Sequence, residues 1–113
     1  MNVSELKEEL IKQKNSKFKG NIYHYSQVNF AYNSNRIEGS RLTSDQTEAI
    51  FDTSSFISKA DELIKLDDVI ESKNHFKLFD YMLDNVNQVL TKEMIIEMNK
   101  ILKKNTSDED DPR

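Results

Sequence analysis

Cysteine is absent from this 113-residue chain, which excludes disulfides, thiolate chemistry and cysteine-based zinc sites. Glycine occurs only at Gly20 and Gly39, and proline only at Pro112. Breakers this scarce leave little room for hairpins, phosphate-cradling loops or βαβ turns, so an all-α chain is expected. No apolar run approaches the roughly 18 residues that a membrane span requires. The opening stretch MNVSELKEEL is acidic and amphipathic, without the apolar middle of a secretory signal, so cytoplasmic residence is the expectation. An excess of base is also missing. Charged residues make up 32% of the chain and leave a net charge of -4, which argues against non-specific nucleic-acid binding. The one basic cluster, Lys12, Lys14, Lys17 and Lys19, reads as a solvated helix end and linker.

What is present is helical patterning in blocks, on a length that suits one small domain or part of a larger one. A first helix spans about residues 4–14, with Leu6, Leu10 and Ile11 along one side and Ser4 as its N-cap. A second spans about residues 22–38, with Ile22, Tyr25, Val28 and Tyr32 at helical spacing. Gly39 closes it, because glycine takes the left-handed conformation without steric cost. A third starts at Thr43 or Ser44 and carries Ala49, Ile50 and Phe51 toward Phe56 and Ile57. The fourth, capped by Asp67 or Asp68, presents a stripe of Val69, Phe76, Phe79, Leu83 and Val86, widened by Leu78 and Met82. Thr91 caps a fifth, along which Met94, Ile95, Met98, Ile101 and Leu102 recur at a/d/e positions. The reading is therefore about five helices. Residues 105–113 are acidic and end on Pro-Arg, which suits either an acidic connector or a disordered tail.

Catalytic groups are thin. His24 and His75 have no partner at ligand spacing and read as packing or surface histidines, so no metal site is expected. Glu8/Glu9 and Asp67/Asp68 are adjacent pairs whose side chains diverge on a helix, and they read as surface charge and capping. The aromatics fall on the apolar faces and read as core. No catalytic residue is assigned.

One stretch breaks a local rule. In FAYNSNRIEGSRLT, residues 30–43, Glu38 stands in the last turn of a helix, where the dipole is negative. An anion there is disfavoured by roughly 0.3–1 kcal/mol when exposed. Ser34, four residues earlier, lies on the same face, at about 5–6 Å between Cβ atoms. By physics alone Glu38 is either solvated, paired loosely with Arg41, or retained for a function elsewhere.

The pattern Ser34-x-x-x-Glu38-Gly39 resembles the inhibitory-helix motif of Fic (Fido) family proteins, which reads Ser/Thr, three residues, Glu, then Gly or Asn. The companions agree in order and spacing: an aromatic-rich helix before the motif, RLTSDQTEAIF after it, then DDVIESKNHFKLFDYML and LTKEMIIEMNKIL, similar to the helices that precede the Fic catalytic core. The resemblance covers about residues 22–104. It implies a protein adenylyltransferase, moving AMP from ATP to protein hydroxyls, with ATP and Mg²⁺ used by the intact protein. The family's catalytic loop, His-x-Phe-x-Asp/Glu-Gly-Asn-Gly-Arg-x-x-x-Arg, does not occur here. NHFKLFD, residues 74–80, places Phe76 one position early and has no Gly-Asn-Gly after it.

The resemblance thus implies the N-terminal, autoinhibitory part of such an enzyme. Glu38 is the carboxylate that engages a loop arginine and displaces the ATP γ-phosphate, Ser34 the supporting hydroxyl and Gly39 the helix stop; Asn35 and Arg36 receive no role. The expected organisation is a helix and linker over residues 1–21, the inhibitory helix and first Fic helices over 22–104, and an acidic tail or connector over 105–113. The remainder of the Fic domain is the expected partner, with no membrane contact, and with self-association through apolar faces that the missing core would cover. A stand-alone antitoxin-like inhibitor or a helical interaction module is the alternative.

Overall fold

The computed structural model describes residues 1–55 and 64–110. Five helices follow in order: α1 (Val3–Ser16), α2 (Ile22–Ile37), α3 (Ser44–Thr53), α4 (Leu66–Asp84) and α5 (Lys92–Lys103). No strand occurs among the described residues, so the chain is all-α. No helix among them is long and apolar enough to cross a membrane.

Local chemistry sets most helix ends. Asn2 caps α1 by accepting from the Glu5 N–H, two residues before the expected Ser4. Thr43 and Gln46 form a reciprocal capping box at α3. The Thr91 hydroxyl accepts from the Met94 N–H at α5. α4 begins at Leu66 behind Lys65, without a side-chain cap, so Asp67 and Asp68 lie in its first turn rather than ahead of it. There they still face the positive end of the dipole. α3 stops at Thr53, where Ser54 turns left-handed (φ 58°); the expected continuation over Phe56 and Ile57 falls outside the described residues.

α2 and α4 form the centre, with α1 and α3 against α2 and α5 against α4. The apolar nucleus is Ala31, Leu42, Ile50 and Phe76, with Phe51, Ile64 and Val69 packed on it. Rings extend it: Phe51 meets Phe76 edge-on at 4.8 Å, and Tyr23 meets Phe79 at 5.9 Å.

The buried face of α2 is not the expected one. Of Ile22, Tyr25, Val28 and Tyr32, Val28 is buried, Tyr32 is half-buried, and Ile22 and Tyr25 are exposed. Burial instead follows Tyr23, Gln27, Ala31 and Asn35, in steps of four. This face is largely polar because α4 supplies its partners. Gln27 Nε2 donates to the Phe76 carbonyl and to Asp80. Tyr23 Oη donates to Asp80 at 2.6 Å, and Lys14 of α1 completes the set at 3.3 Å from that carboxylate. Exposed Phe18 also departs from the expectation that the aromatics are core.

On α4, Phe76, Leu78 and Leu83 are buried as the stripe requires, while Val86 lies beyond the helix end and is exposed. α5 buries no residue fully. Ile95 and Ile96 stay 46% and 45% exposed, and Val89 and Leu90 before them are more open still. Several apolar side chains of α5 and of the segment before it are therefore left uncovered.

Candidate functional site

α2 ends in a Schellman turn. The Ser40 N–H donates to the Asn35 carbonyl and the Gly39 N–H to the Arg36 carbonyl, both at 3.0 Å. Gly39 takes φ +96°, which a side chain would strain although nothing crowds the space a Cβ would occupy. The turn leaves Glu38 at the C-cap, exposed, one residue later than the last helical position.

Ser34 is half-buried one turn before Glu38, and no hydrogen bond joins the two. Arg36 points elsewhere: its guanidinium donates to Tyr32 Oη at 3.0 Å and lies over that ring. Among the described residues Glu38 has no cationic partner within ion-pair distance, Arg41 included.

Instead Glu38 borders a cleft of about 250 Å³ shared with Glu71 and His75 of α4, Lys103 of α5 and Asp108. No arginine is among its described lining residues. Burial, and after it the charge of Glu38, push the Glu71 carboxyl up to about 7, with Asp68, Asp67 and Asp108 adding to the effect. The cleft is thus an acidic environment into which a further anion fits badly and a cation fits well.

Asn35, adjacent to the motif, anchors this region. It is 2% exposed, and its Nδ2 donates to Ser72 Oγ at 2.8 Å, tying the end of α2 to α4. Asn74 does the same for α5, donating to the Leu102 and Lys104 carbonyls at 2.9 and 2.8 Å. These carbonyls are among those a helix end leaves unpaired. Sequence reasoning missed both. The available signal was Asn35 standing four residues after Ala31 and eight after Gln27, which places a polar residue in register with a buried row.

A second polar cluster lies on the opposite part of α2. His24 is buried, with Nε2 2.8 Å from Asp52 Oδ1 and Nδ1 3.8 Å from Glu48 Oε2. Among the described residues these three are the group whose ligand atoms approach within 4.8 Å. Both ring nitrogens already have partners, since the Gly20 N–H donates to Nδ1. Nε2 therefore carries the proton toward Asp52. The arrangement ties the α1–α2 loop and α3 to α2, and Lys19 adds a long pair to Asp52 at 4.0 Å.

Compared with protein-family models and with curated proteins, the chain matches none.

Proposed function

We propose that this chain is the N-terminal, autoinhibitory part of a Fic-type protein adenylyltransferase, in which Glu38 blocks productive ATP binding. The observation that carries the reading is the setting of Glu38: a carboxylate at a helix C-terminus, with no ion-pair partner among the described residues, beside a cleft with no arginine among its described lining residues. A loop arginine from the remainder of the domain would supply the missing charge through charge-assisted hydrogen bonds. Ser34 borders Glu38 from the preceding turn, and Gly39 lets the chain leave. The exposed apolar side chains of Val89, Leu90, Ile95 and Ile96 suit cover by a further helical layer, which is the partner this reading requires. With only Gly20 and Gly39, the chain builds no glycine-rich phosphate cradle, so ATP and Mg²⁺ belong to residues outside it.

The test uses the complete protein, or a segment carrying the catalytic loop supplied in trans. Glu38→Gly should raise ATP affinity and AMP transfer. Charge-assisted bonds of about 1.5–3 kcal/mol correspond to roughly tenfold to a hundredfold. Ser34→Ala should act in the same direction more weakly, and Arg36→Ala should do little. Unchanged nucleotide binding and transfer in Glu38→Gly would remove the inhibitory role. The 113-residue chain by itself should label no protein with AMP.

A further inference from the structure

Three lysines of the basic cluster, Lys14, Lys17 and Lys19, line one cavity. Its volume is about 370 Å³, within the range of small-molecule sites. The end of α1, the turn after it, the first turn of α2 and the last turn of α3 form the walls. Asp52 is the carboxylate among the described lining residues. One of its oxygens faces His24 at 2.8 Å and the other Lys19 at 4.0 Å. Lys14 is 3.3 Å from Asp80, and Lys17 has no ion-pair partner among the described residues. In a chain of net charge -4, this is a local excess of positive charge. The C-terminus of α1 and the N-terminus of α2 both lie here, so their opposite dipole charges offset and the lysines set the sign.

Between two of these lysines stands Phe18. It lines the cavity yet is 73% exposed, and no ring lies against it among the described residues. Tyr23 and Phe51, with centroids 6.4 Å apart, add aromatic surface to the wall. The wall's amides are already engaged. Gln13 Oε1 accepts from the Tyr23 N–H at 2.9 Å, and Asn21 Nδ2 donates to the Gln13 carbonyl at 3.1 Å. These bonds tie α1 and the turn to α2, so the cavity is shaped before a ligand arrives. Recognition is left to ammonium charge and ring faces. Lysine binds phosphate as a point charge, and no arginine among the described lining residues offers the planar fork that a carboxylate matches. A phosphate monoester also carries close to two negative charges near neutral pH, against one for a carboxylate.

We propose that this cavity binds a small aromatic phosphate monoester, with the ring on Phe18 and the phosphate between Lys17 and Lys19. The inference does not rest on the reading of Glu38, which caps the other end of α2, about 24 Å away along a 16-residue helix. The charge comes from side chains, so no glycine-rich cradle is required. Because the wall's amides are engaged, the site discriminates little between ring types. An aryl phosphate and a nucleoside monophosphate are therefore two sources of the same chemistry. Both key positions tolerate replacement: Lys17 takes φ 56°, a conformation glycine adopts freely, and Phe18 contributes little to the core.

The isotope-labelled 113-residue chain is titrated with phenyl phosphate and with inosine monophosphate and followed by NMR, with inorganic phosphate, inosine and phenylacetate as controls. Saturating shifts are expected at Lys17, Phe18, Lys19 and Asn21, with a dissociation constant on the order of 1 mM for the monoesters and several-fold weaker binding of each control. Phe18→Ala should weaken phenyl phosphate about two- to tenfold, the scale of a ring–ring contact, and leave inorganic phosphate unchanged. Lys17→Gly should weaken both about two- to fivefold, and unchanged circular dichroism spectra confirm that the variants fold. Shifts that fail to saturate or that spread over lysines elsewhere overturn the proposal. So does binding of inorganic phosphate or phenylacetate as tight as that of phenyl phosphate, or a Phe18→Ala variant that loses phenyl phosphate and inorganic phosphate equally. The tighter of the two monoesters identifies the source as aryl phosphate or nucleotide, and binding of neither refutes the site.

Discussion

Asn35→Asp changes one atom's chemistry beside the motif, and its cost can be worked from the packing. Asn35 is 2% exposed; its Nδ2 donates to Ser72 Oγ at 2.8 Å and lies 3.4 Å from the Asp68 carbonyl. Ser72 Oγ spends its own proton on the Asp68 carbonyl at 3.0 Å. The substitution therefore turns a donor into an acceptor that faces two acceptors, and loses a bond worth about 0.5–1.5 kcal/mol. It also buries a charge near the carboxylates of α4. That penalty has a ceiling, because the new carboxyl takes up a proton instead once its pKa passes the ambient pH. From an ordinary value of about 3.9 to pH 7, the ceiling is roughly 4 kcal/mol. A loss of about 3–4 kcal/mol at pH 7 follows, a large share of the ~5–15 kcal/mol of a typical domain. The sign with pH is fixed: a carboxyl raised in the folded state costs most above its folded pKa, and the charge penalty vanishes below the unfolded value. Near pH 4 about 1 kcal/mol should remain. Urea unfolding followed by circular dichroism at both pH values measures this, with Asn35→Ala (about 1–2 kcal/mol, softened because the unpartnered Oδ1 also goes) and exposed Arg36→Ala (under ~0.5 kcal/mol) as references. Asn35→Asp within 0.5 kcal/mol of wild type at pH 7, or an equal loss near pH 4, would refute the reasoning.

Three further outcomes are expected. Asn74→Ala should free the Leu102 and Lys104 carbonyls, cost about 1–2 kcal/mol, and speed amide hydrogen exchange in α5 more than in α2; uniform exchange rates would count against the anchoring role. Tyr23→Phe should cost about 1–2 kcal/mol in urea unfolding, because the Asp80 carboxylate loses its shortest donor but keeps Gln27 and Lys14. Burial and the bond to Asp80 both raise the Tyr23 hydroxyl, so no phenolate absorbance should develop from it up to pH 11. Glu71 is raised in the folded state to about 7, so its contribution is fully present below about 4.5 and is lost as pH rises through about 7. Glu71→Gln should therefore leave stability unchanged at pH 4 and raise it at pH 8, on the order of 1–2 kcal/mol after discounting for partial exposure. Equal effects at the two pH values would show that Glu71 titrates normally.

The helical class and the ends set by Thr43, Thr91 and Gly39 were legible in the chain itself because their causes are local, whereas the caps expected at Ser4 and at Asp67 or Asp68 were not the ones used. Scarce glycine and proline left helices as the outcome, and Thr43, Thr91 and Gly39 act on backbone groups within about one turn of themselves. Ser34, Glu38 and Gly39 were readable for the same reason, as neighbours on one helix end. The buried face of α2 was not. Periodicity weighs apolar residues, which favoured Ile22 and Tyr25, whereas packing chose the polar row through Gln27 and Asn35. A buried amide is favourable only if a partner arrives, and these partners stand 37 residues away at Ser72 and 53 away at Asp80. The same holds for the cleft. Glu38 shares the cleft with Glu71 and His75 because α4 lies against α2, and α5 closes it by packing on α4, where Asn74 holds its Leu102 and Lys104 carbonyls. Capping and turn formation depend on atoms a few bonds apart, so chain order alone determined them. Which buried polar groups are satisfied, and which charges share one cavity, depends on helix packing, and only the tertiary structure decided it.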